Sequence, residues 1–259
     1  MQNFKDDSGR IVTARYNRRM DLSIVIPAFE ESSKIVRDVE AAAAFLADKA
    51  IVGEIIVVDD GSKDKTSFIA EGVKIPPQVI RKVVRYQPHR GKGHAVRTGV
   101  MESKGKYVMF ADSGNCVPYE DILPGLELLK NRQCDIAHGS RKMQGCHIGR
   151  PQSLYRRICS RFFHWYVVYA MKLPAEFTDT QCGFKIYRGD VARRLYCESV
   201  TDGFAFDIEI IIRAQRAGYR IKEFPIRWSC DRDSRLSPSR SFRQVLSELR
   251  AIKRALSNK

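Results

Sequence analysis

The sequence predicts a single α/β domain in which a mostly parallel sheet is flanked by helices. From position 21 onward, short runs rich in Val and Ile alternate with longer helical stretches, which is typical of βαβ units. The apolar runs are continuous, as expected for strands that are buried on both faces. The 259 residues contain no internal repeat and no Gly/Ser/Pro-rich linker, so we expect one large core rather than independent domains.

The first half of the chain supplies four of the predicted strands. They lie at 22–26, 54–58, 79–86 and 107–111, and each is bounded by polar or turn-forming residues. Helices are predicted at 31–49, from 62 or 63 onward, and at 93–103. The second of these is placed by Ser62 and Asp64, which are good N-cap residues. Residues 1–20 form a polar lead segment.

The second half is less regular. We predict a strand at 136–138, a long aromatic helix at 154–171, a helix at 205–216 and a strand at 220–226. A basic amphipathic helix at 242–256 completes the chain.

The charge of the chain points to an anionic partner. The formal net charge is +15, which favours nucleic acid, a phosphorylated small molecule or an acidic membrane surface. The seven cysteines include no C-x-x-C pair, which indicates free thiols in a reducing compartment. No secretory signal is visible in residues 1–20, and the apolar stretch 162–173 is too short to span a bilayer. We therefore expect a cytoplasmic protein, bound at most to a membrane surface.

Polar segments follow three of the predicted strands, at 27–31, 59–62 and 112–115. Ligands of open α/β sheets bind at the carboxyl ends of strands, so these segments are candidate site residues. The adjacent carboxylates of Asp59 and Asp60 either bind a ligand or form a turn with a helix cap. Asp112 either holds a hard cation such as Mg²⁺ or belongs to a plain Asx turn.

A Gly-Lys-Gly sequence at 91–93 precedes a predicted helix. The amides at a helix N-terminus form an anion site, although this segment lacks the spacing of a Walker A loop. The alternative is a simple turn that carries a solvated Lys92.

Taken together, IPAFEE at 26–31, VVDDGSKDKT at 57–66, GKG at 91–93 and FAD at 110–112 closely resemble the inverting family 2 glycosyltransferases. These enzymes have the Rossmann-like GT-A fold. GSR at 139–141, DTQCGFK at 179–185, FAFDIE at 204–209 and SRL at 234–236 resemble the subgroup that transfers sugar to polyprenyl or dolichyl phosphate. The resemblance is greatest to the dolichyl-phosphate β-glucosyltransferases, followed by the dolichyl-phosphate mannose synthases.

The resemblance implies that a hexose, with glucose favoured, moves from a sugar nucleotide, with UDP favoured, to a polyprenyl phosphate. It divides the domain at 21–259 into a nucleotide-binding half, 21–115, and an acceptor half, 116–259. The implied nucleotide-sugar ligands are Pro27, Ala28, Phe29, Glu30, Asp59, Asp60, Lys92, Asp112 and Ser113. The implied catalytic residues are Asp112, Arg141, Asp179 and Gln181. The implied acceptor-phosphate ligands are Arg141, Arg156, Arg157 and Arg235.

One departure from the family concerns the metal. The family motif is Asp-x-Asp, whereas here Gly114 replaces the second Asp. Mg²⁺ or Mn²⁺ is then held by Asp112, with Asn115 supplying a carbonyl oxygen. A weaker metal requirement, with a basic side chain doing part of the work, and a loss of activity are the alternatives.

The aromatic segment at 162–171 has two interpretations. It packs in the core, or it forms an interfacial helix whose basic flanks meet anionic lipid at the cytosolic face of a membrane. Two other enzyme classes stay open, namely a transferase with a soluble or glycan hydroxyl acceptor and a catalytically weakened homologue. A nucleic-acid-binding protein is disfavoured, because no helix-turn-helix, RNP or zinc-finger pattern appears.

Overall fold

The computed structural model describes residues 3–5, 11–13, 20–151, 154–171, 173, 177–230 and 238–257. Their elements are, in chain order, β1 (Asn3–Lys5), β2 (Ile11–Thr13), β3 (Leu22–Ala28), α1 (Ile35–Asp48), β4 (Gly53–Asp59), α2 (Thr66–Gly72), β5 (Ile80–Arg85), α3 (Lys92–Glu102), β6 (Tyr107–Ala111), a 3-10 turn (Tyr119–Asp121), α4 (Ile122–Lys130), β7 (Ile136–Ser140), β8 (His147–Arg150), α5 (Leu154–Met171), β9 (Phe184–Arg188), α6 (Gly189–Cys197), α7 (Phe206–Arg216), β10 (Ile221–Pro225), β11 (Arg227–Ser229) and α8 (Pro238–Ser257).

The central sheet has seven strands in the order β10-β7-β9-β6-β3-β4-β5. Its neighbours are parallel except for β9, which runs antiparallel to both β6 and β7. The predicted fold, a mostly parallel sheet flanked by helices, is confirmed. Strand β9 was not predicted, because it begins inside the polar DTQCGFK segment and carries the buried Lys185. Two small sheets, β1-β2 and β8-β11, complete the described strands.

Helices cover both faces of the sheet, which explains the continuous apolar strands. On one face, Ile24 and Ile26 of β3 share a buried cluster with residues of α1 and α4. On the other face, Val25 lies in a second cluster with residues of α3, α6 and α7. The contact between α3 and β3 is close, because a Cβ at Gly99 would lie 2.3 Å from the Val25 side chain.

A third cluster joins helices outside the sheet. Val167 of α5, Ile208 of α7 and Leu249 of α8 are buried together. Helix α5 has the predicted bounds of 154–171, whereas α8 begins at Pro238, earlier than the predicted residue 242. Helices α5, α7 and α8 therefore pack on one another through a buried cluster that contains no residue of strands β3 to β9.

The prediction that α2 begins at 62 or 63 is wrong, since the helix begins at Thr66. The Ser62 hydroxyl instead accepts the amide of Glu30 at 2.7 Å, which ties together the ends of β3 and β4. Asp64 does act near the helix start, because its carboxylate accepts the Thr66 amide at 3.0 Å.

The topology brings several segments to one edge of the sheet. The carboxyl ends of β3, β4 and β6 lie there, and so does the amino end of β9, since that strand is antiparallel to β6. Every predicted strand-end segment is therefore at the same edge as the DTQCGFK segment. None of the described helices is both long enough and apolar enough to cross a membrane.

Candidate active site

The carboxylates of the Asp59-Asp60 turn are hydrogen-bonded to backbone amides of the protein itself. Both residues are buried. One oxygen of Asp59 accepts the Ser62 amide at 2.9 Å, and its second oxygen lies 3.5 Å from the Arg85 guanidinium without a hydrogen bond. The two oxygens of Asp60 accept the amides of Arg90 and Gly91, each at 2.8 Å. The carboxylate of Asp60 is thus committed to the loop that leads into α3.

A stacked pair of rings lies beside this turn. The Phe29 ring stacks on the His89 ring with a centroid separation of 4.0 Å. His89 Nδ1 also lies 2.9 Å from an oxygen of Asp60. The next residue, Glu30, has a φ of 50°, a backbone conformation that turns the chain sharply away from β3. The predicted nucleotide segment 27–30 is therefore packed directly against the Asp59-Asp60 turn.

The loop at 202–203 engages two backbone donors at the N-terminus of α3. The amides of Gly93 and His94 donate to the carbonyls of Gly203 and Asp202, at 3.2 and 3.0 Å. A Cβ at Gly91 would lie 2.6 Å from the Asp202 carbonyl oxygen, so this loop sits against the helix start. The amides of Gly91, Gly93 and His94 are thus engaged within the protein, and the segment also contributes the side chain of Lys92.

Lys92 and Asp112 form an ion pair across the strand-end edge, with Nζ 2.5 Å from Oδ1. Burial lowers the pKa of Lys92, but the attraction of Asp112 and Asp207 outweighs this and raises the pKa above its ordinary value. Lys92 is therefore a permanent cation at the end of β6, and both partners stay partly accessible.

A second lysine, Lys185, lies deeper in the protein than the Lys92–Asp112 pair. Lys185 is fully buried and donates to Asp207 Oδ1 and to the Cys182 carbonyl, each at 2.7 Å. Burial raises the pKa of Asp207 although Lys185 and Lys92 oppose the shift. The charges of Asp112, Lys92, Asp207 and Lys185 thus alternate from the surface into the core, which compensates each buried ion.

Arg141 and Asp179 form a second cation–carboxylate pair, in which Arg141 is partly accessible and Asp179 is buried. Nε and Nη2 of Arg141 donate to the two oxygens of Asp179 at 2.6 and 2.8 Å, a bidentate arrangement. Burial acts to raise the pKa of Asp179, yet the Arg141 guanidinium holds it below its usual range. The Arg141 guanidinium also lies 5.3 Å from the centre of the Trp228 ring. Glu223 fixes the loop by accepting the amides of Thr178 and Asp179, both at 2.9 Å.

The DTQCGFK segment packs against Asp112. The Asp112 amide donates to the Gly183 carbonyl at 3.1 Å, and a Cβ at Gly183 would lie 2.2 Å from the Asp112 carboxylate. Gln181 lies in the turn just before this contact and is half-buried. The structure therefore brings Lys92, Asp112, Arg141, Asp179 and the segment that carries Gln181 to one region.

The loop at 112–115 is held by helix α1. Gly114 has a φ of 96° and Asn115 a φ of 47°, and the first value strains any residue other than glycine. The Gly114 amide donates to the buried carboxylate of Asp38 at 2.8 Å, and its carbonyl accepts from Arg37 at 3.1 Å. An Asp at position 114 would thus be strained in this conformation of the loop.

This geometry limits how a metal ion is held. Among the described residues, no group of three or more His, Cys, Asp and Glu side chains converges on a common point. Asp112, which faces Lys92, and the exposed Asn115 at the same loop are the oxygen ligands that the loop offers. They fit a cation that takes most of its remaining ligands from phosphate oxygens and water.

The side chains of three predicted acceptor-phosphate ligands lie outside what the structure describes. Arg235 lies outside the described residues, and of Arg156 and Arg157 the structure describes the α5 backbone but not the side chains. Pro27 and Ala28 end β3, and Ser113 is half-buried in the 112–115 loop.

Comparisons with known proteins agree with this architecture. The family model for glycosyl transferase family 2 matches residues 23–196, which is more than half of the chain. The chain belongs to glycosyl transferase family 2. It is 31% identical to a human dolichyl-phosphate β-glucosyltransferase over 90% of this chain and 74% of that protein. It is also 31% identical to a dolichyl-phosphate β-glucosyltransferase from Drosophila melanogaster, over 89% of this chain and 73% of the relative.

Solved structures share the fold of this family 2 glycosyltransferase. Glucosyl-3-phosphoglycerate synthase from Mycobacterium tuberculosis, in complex with Mn²⁺, UDP-glucose and phosphoglyceric acid, has a TM-score of 0.65 and 19% identity, covering 90% of this chain and 79% of that one. Mannosyl-3-phosphoglycerate synthase from Rubrobacter xylanophilus has a TM-score of 0.62 and 16% identity, covering 92% and 73% of the two chains. The expected GT-A architecture is thereby confirmed.

Sequence reasoning missed the residues that support the site. Asp38 and Arg37 were overlooked, although Asp38 interrupts the apolar stripe of α1 formed by Ile35, Val39 and Ala42. A charged residue at a buried helical position is the signal that would have found it. Glu223 and Trp228 carried no such signal, because each meets Asp179 or Arg141 only through the tertiary fold.

Proposed function

We propose that this protein transfers glucose from UDP-glucose to a polyprenyl or dolichyl phosphate, with inversion at the anomeric carbon. The observation that carries the proposal is the presence of two accessible cations, Lys92 and Arg141, at one sheet edge, each held by a carboxylate. A reaction between two anionic substrates requires such cations. The dolichyl-phosphate β-glucosyltransferases named above, at about 30% identity over most of the chain, support the choice of donor sugar and acceptor.

The proposed reaction does not need a strong general base. An oxygen of the lipid phosphate attacks the anomeric carbon, the bond from that carbon to the diphosphate oxygen breaks, and UDP leaves with the electron pair. A phosphate monoester has a second pKa of about 6, so the nucleophile is already ionised near neutral pH. The protein must align two anions and stabilise the charge that develops on the leaving diphosphate.

The proposed roles follow the two ion pairs. Lys92 meets the donor diphosphate at the end of β6, and Arg141 directs its remaining guanidinium donors to the acceptor phosphate. Asp112 and Asp179 orient these cations, and Gln181 lies beside the transferred sugar. Arg156, Arg157 and Arg235 are proposed as further ligands of the acceptor phosphate.

The nucleoside is proposed to lie along the ends of β3 and β4, at residues 27–30. The second oxygen of Asp59 supports this location, since it is buried and no hydrogen bond from the described residues engages it. Asp60 contributes indirectly by fixing the loop at 89–91.

A divalent cation, Mg²⁺ or Mn²⁺, is proposed to be held by Asp112 and Asn115 together with the donor. When bound, it would neutralise charge on the diphosphate. Because Gly114 offers no side-chain ligand and Lys92 already places a positive charge at Asp112, we expect a weaker metal requirement than in a site with two carboxylates.

The proposed location is the cytosolic face of a membrane. Cys134, Cys146, Cys182 and Cys197 are free thiols, which suits a reducing compartment. The acceptor lipid is the reason to expect a membrane rather than the bulk cytosol.

The test is a transfer assay with radiolabelled UDP-glucose, GDP-mannose and other sugar nucleotides, polyprenyl phosphate in detergent, and either Mg²⁺, Mn²⁺ or EDTA. We expect glucose to appear in the organic phase from UDP-glucose. Dolichol, which has a hydroxyl in place of the phosphate, should accept nothing. Transfer to dolichol or to soluble glycans would favour a hydroxyl acceptor, and no binding or consumption of any donor would contradict an enzymatic role.

A further inference from the structure

We propose that the exposed face of α5 is a membrane-docking surface that lies in the interface of an anionic bilayer. This inference rests on the proposed function and deepens it, because an enzyme that acts on a lipid phosphate has to meet the membrane that holds this acceptor. We define the α5 face by its exposed large side chains, which are Leu154, Tyr155, Ile158, Trp165, Tyr166 and Tyr169.

One side of α5 is already used inside the protein. Val167 is fully buried in the cluster that α5 shares with α7 and α8, and Val168 and Met171 pack against that cluster. The core-packing interpretation of the aromatic segment is therefore right for this side. None of the described side chains of the α5 face belongs to that cluster.

The opposite side is strongly exposed. Trp165 is 66% exposed and Tyr169 is 77% exposed, and their rings stack in parallel with a centroid separation of 5.9 Å. Leu154, Ile158, Trp165 and Tyr169 are spaced so that they follow one side of the helix over its whole length. Exposed large apolar side chains grouped on one side of a helix mark an interaction surface.

The amino-acid composition of the α5 face favours a lipid bilayer as its partner. Trp and Tyr have an apolar ring and a polar tip, and they concentrate where a bilayer meets water. Arg161 is exposed on the same helix between Ile158 and Trp165. A helix that combines aromatic residues with exposed cations binds in the plane of the headgroups.

The neighbouring helix adds positive charge. Val245, Leu249 and Ile252 of α8 pack in the same cluster as α5, whereas Arg250, Lys253 and Arg254 of α8 are exposed. Exposed cations attract anionic headgroups. The charge of this layer is therefore complementary to an acidic membrane, and its aromatic residues add the apolar part of the binding.

Helix α5 is also connected along the chain to the proposed acceptor site. Chain order places α5 between Arg141, at the end of β7, and Asp179, just before β9, and these two residues are joined by the bidentate ion pair. Docking α5 on a membrane would therefore hold the Arg141–Asp179 pair near the headgroups. A phosphate attached to a membrane-embedded chain would meet the site there.

Trp165 makes the proposal directly measurable, since the chain has only two tryptophans. The full chain is mixed with phosphatidylcholine vesicles, with and without about 30% phosphatidylglycerol as the anionic lipid. We expect binding to the anionic vesicles, a blue shift of the fluorescence and quenching by brominated lipid. The shift should disappear in Trp165→Phe and remain in Trp228→Phe.

Two sets of variants separate the apolar from the electrostatic part. Trp165→Ser combined with Tyr169→Ser should weaken vesicle binding by about tenfold or more, because two exposed rings no longer enter the interface. Replacing Arg250, Lys253 and Arg254 with Gln should weaken binding to the anionic vesicles alone. The matched control is Phe68→Ser on α2, which removes a ring that is 74% exposed outside this layer and should leave binding unchanged.

Several outcomes would overturn the inference. Vesicle binding that the Trp165→Ser/Tyr169→Ser variant retains in full would assign the interaction to another surface, and absence of binding at low salt would exclude the membrane. A dimer in solution that this variant dissociates would make a second copy the occupant of the α5 face. Binding of UDP-glucose, measured without lipid, tests the proposed function separately, so failure of either proposal can be recognised by itself.

Discussion

The two halves of the site use their carboxylates differently. At the ends of β3 and β4, Asp60 accepts backbone amides with both oxygens, and Asp59 does so with one of its two. At the ends of β6 and β7, Asp112 and Asp179 face the cations Lys92 and Arg141. The first arrangement fixes loops, whereas the second holds charges that a substrate can reach. An aspartate at the end of a strand can therefore either fix a loop or hold a cation, and the sequence pattern alone does not distinguish the two roles.

The largest expected effect is a loss of activity at Asp112 with little change in stability. Asp112→Ala should lower the rate of sugar transfer by about 100-fold or more, because Lys92 loses its orienting partner and any cation loses its carboxylate. The melting temperature should change by less than about 3 °C, since Asp112 is partly accessible. Transfer assays and calorimetry measure the two effects, and Asp48→Ala at the exposed end of α1 is the control. Retained activity would remove Asp112 from the reaction.

Asp60 should behave in the opposite way. Asp60→Ala leaves the part-buried amides of Arg90 and Gly91 without their acceptor, and the loss of each of these hydrogen bonds to a buried carboxylate costs about 1–2 kcal/mol. We expect a loss of about 2–4 kcal/mol in the free energy of unfolding, measured by urea denaturation. Asp64→Ala, which removes the hydrogen bonds to Thr66 at the start of α2 and to the Ser32 amide, should cost about 1 kcal/mol. Equal losses in the two variants would contradict the contrast.

Arg141 tests whether geometry or charge matters in the second pair. Arg141→Lys keeps the positive charge but cannot make the bidentate contact with Asp179. The expected result is a fall of about tenfold in kcat/KM for the acceptor, with the KM for the donor unchanged. Arg150→Lys on the exposed strand β8 should be silent. If Arg141→Lys were equally silent, a single point charge would suffice at this position.

The smallest expected effect on activity concerns Asp38, which connects α1 to the 112–115 loop. Burial raises the pKa of Asp38 to about 6, against the opposing hydrogen bond from Gly114. A raised carboxyl pKa means that the folded state binds the proton more tightly, so this contribution to stability is present below about pH 4 and is lost as the pH rises through 6. Asp38→Asn should therefore be more stable than the wild type by about 3 kcal/mol at pH 8 and equally stable at pH 4.

The same variant has a functional readout. Asn keeps an oxygen that accepts the Gly114 amide but loses the negative charge beside Arg37, so transfer should fall by only about two- to fivefold. Urea denaturation at the two pH values and steady-state kinetics check both parts. Lower stability of Asp38→Asn at pH 8 would show that the buried charge stabilises the fold.

The sequence by itself determined the fold class, because strands buried on both faces are continuous apolar runs and α5 has an unmistakable length and composition. It also placed Lys92, Asp112, Arg141 and Asp179 among the candidate residues, since their ordered motifs resemble one family. These features depend on local spacing, which the linear sequence contains.

Only the tertiary structure decided what the polar groups contact. Strand β9 runs antiparallel and brings Gly183 against Asp112, and the loop at 202–203 accepts the amides of α3 that would otherwise bind an anion. Asp38 meets Gly114 across 76 positions of the chain. A carboxylate binds whichever donor the fold brings within about 3 Å, and distances of that kind are set by packing of remote elements rather than by neighbouring residues.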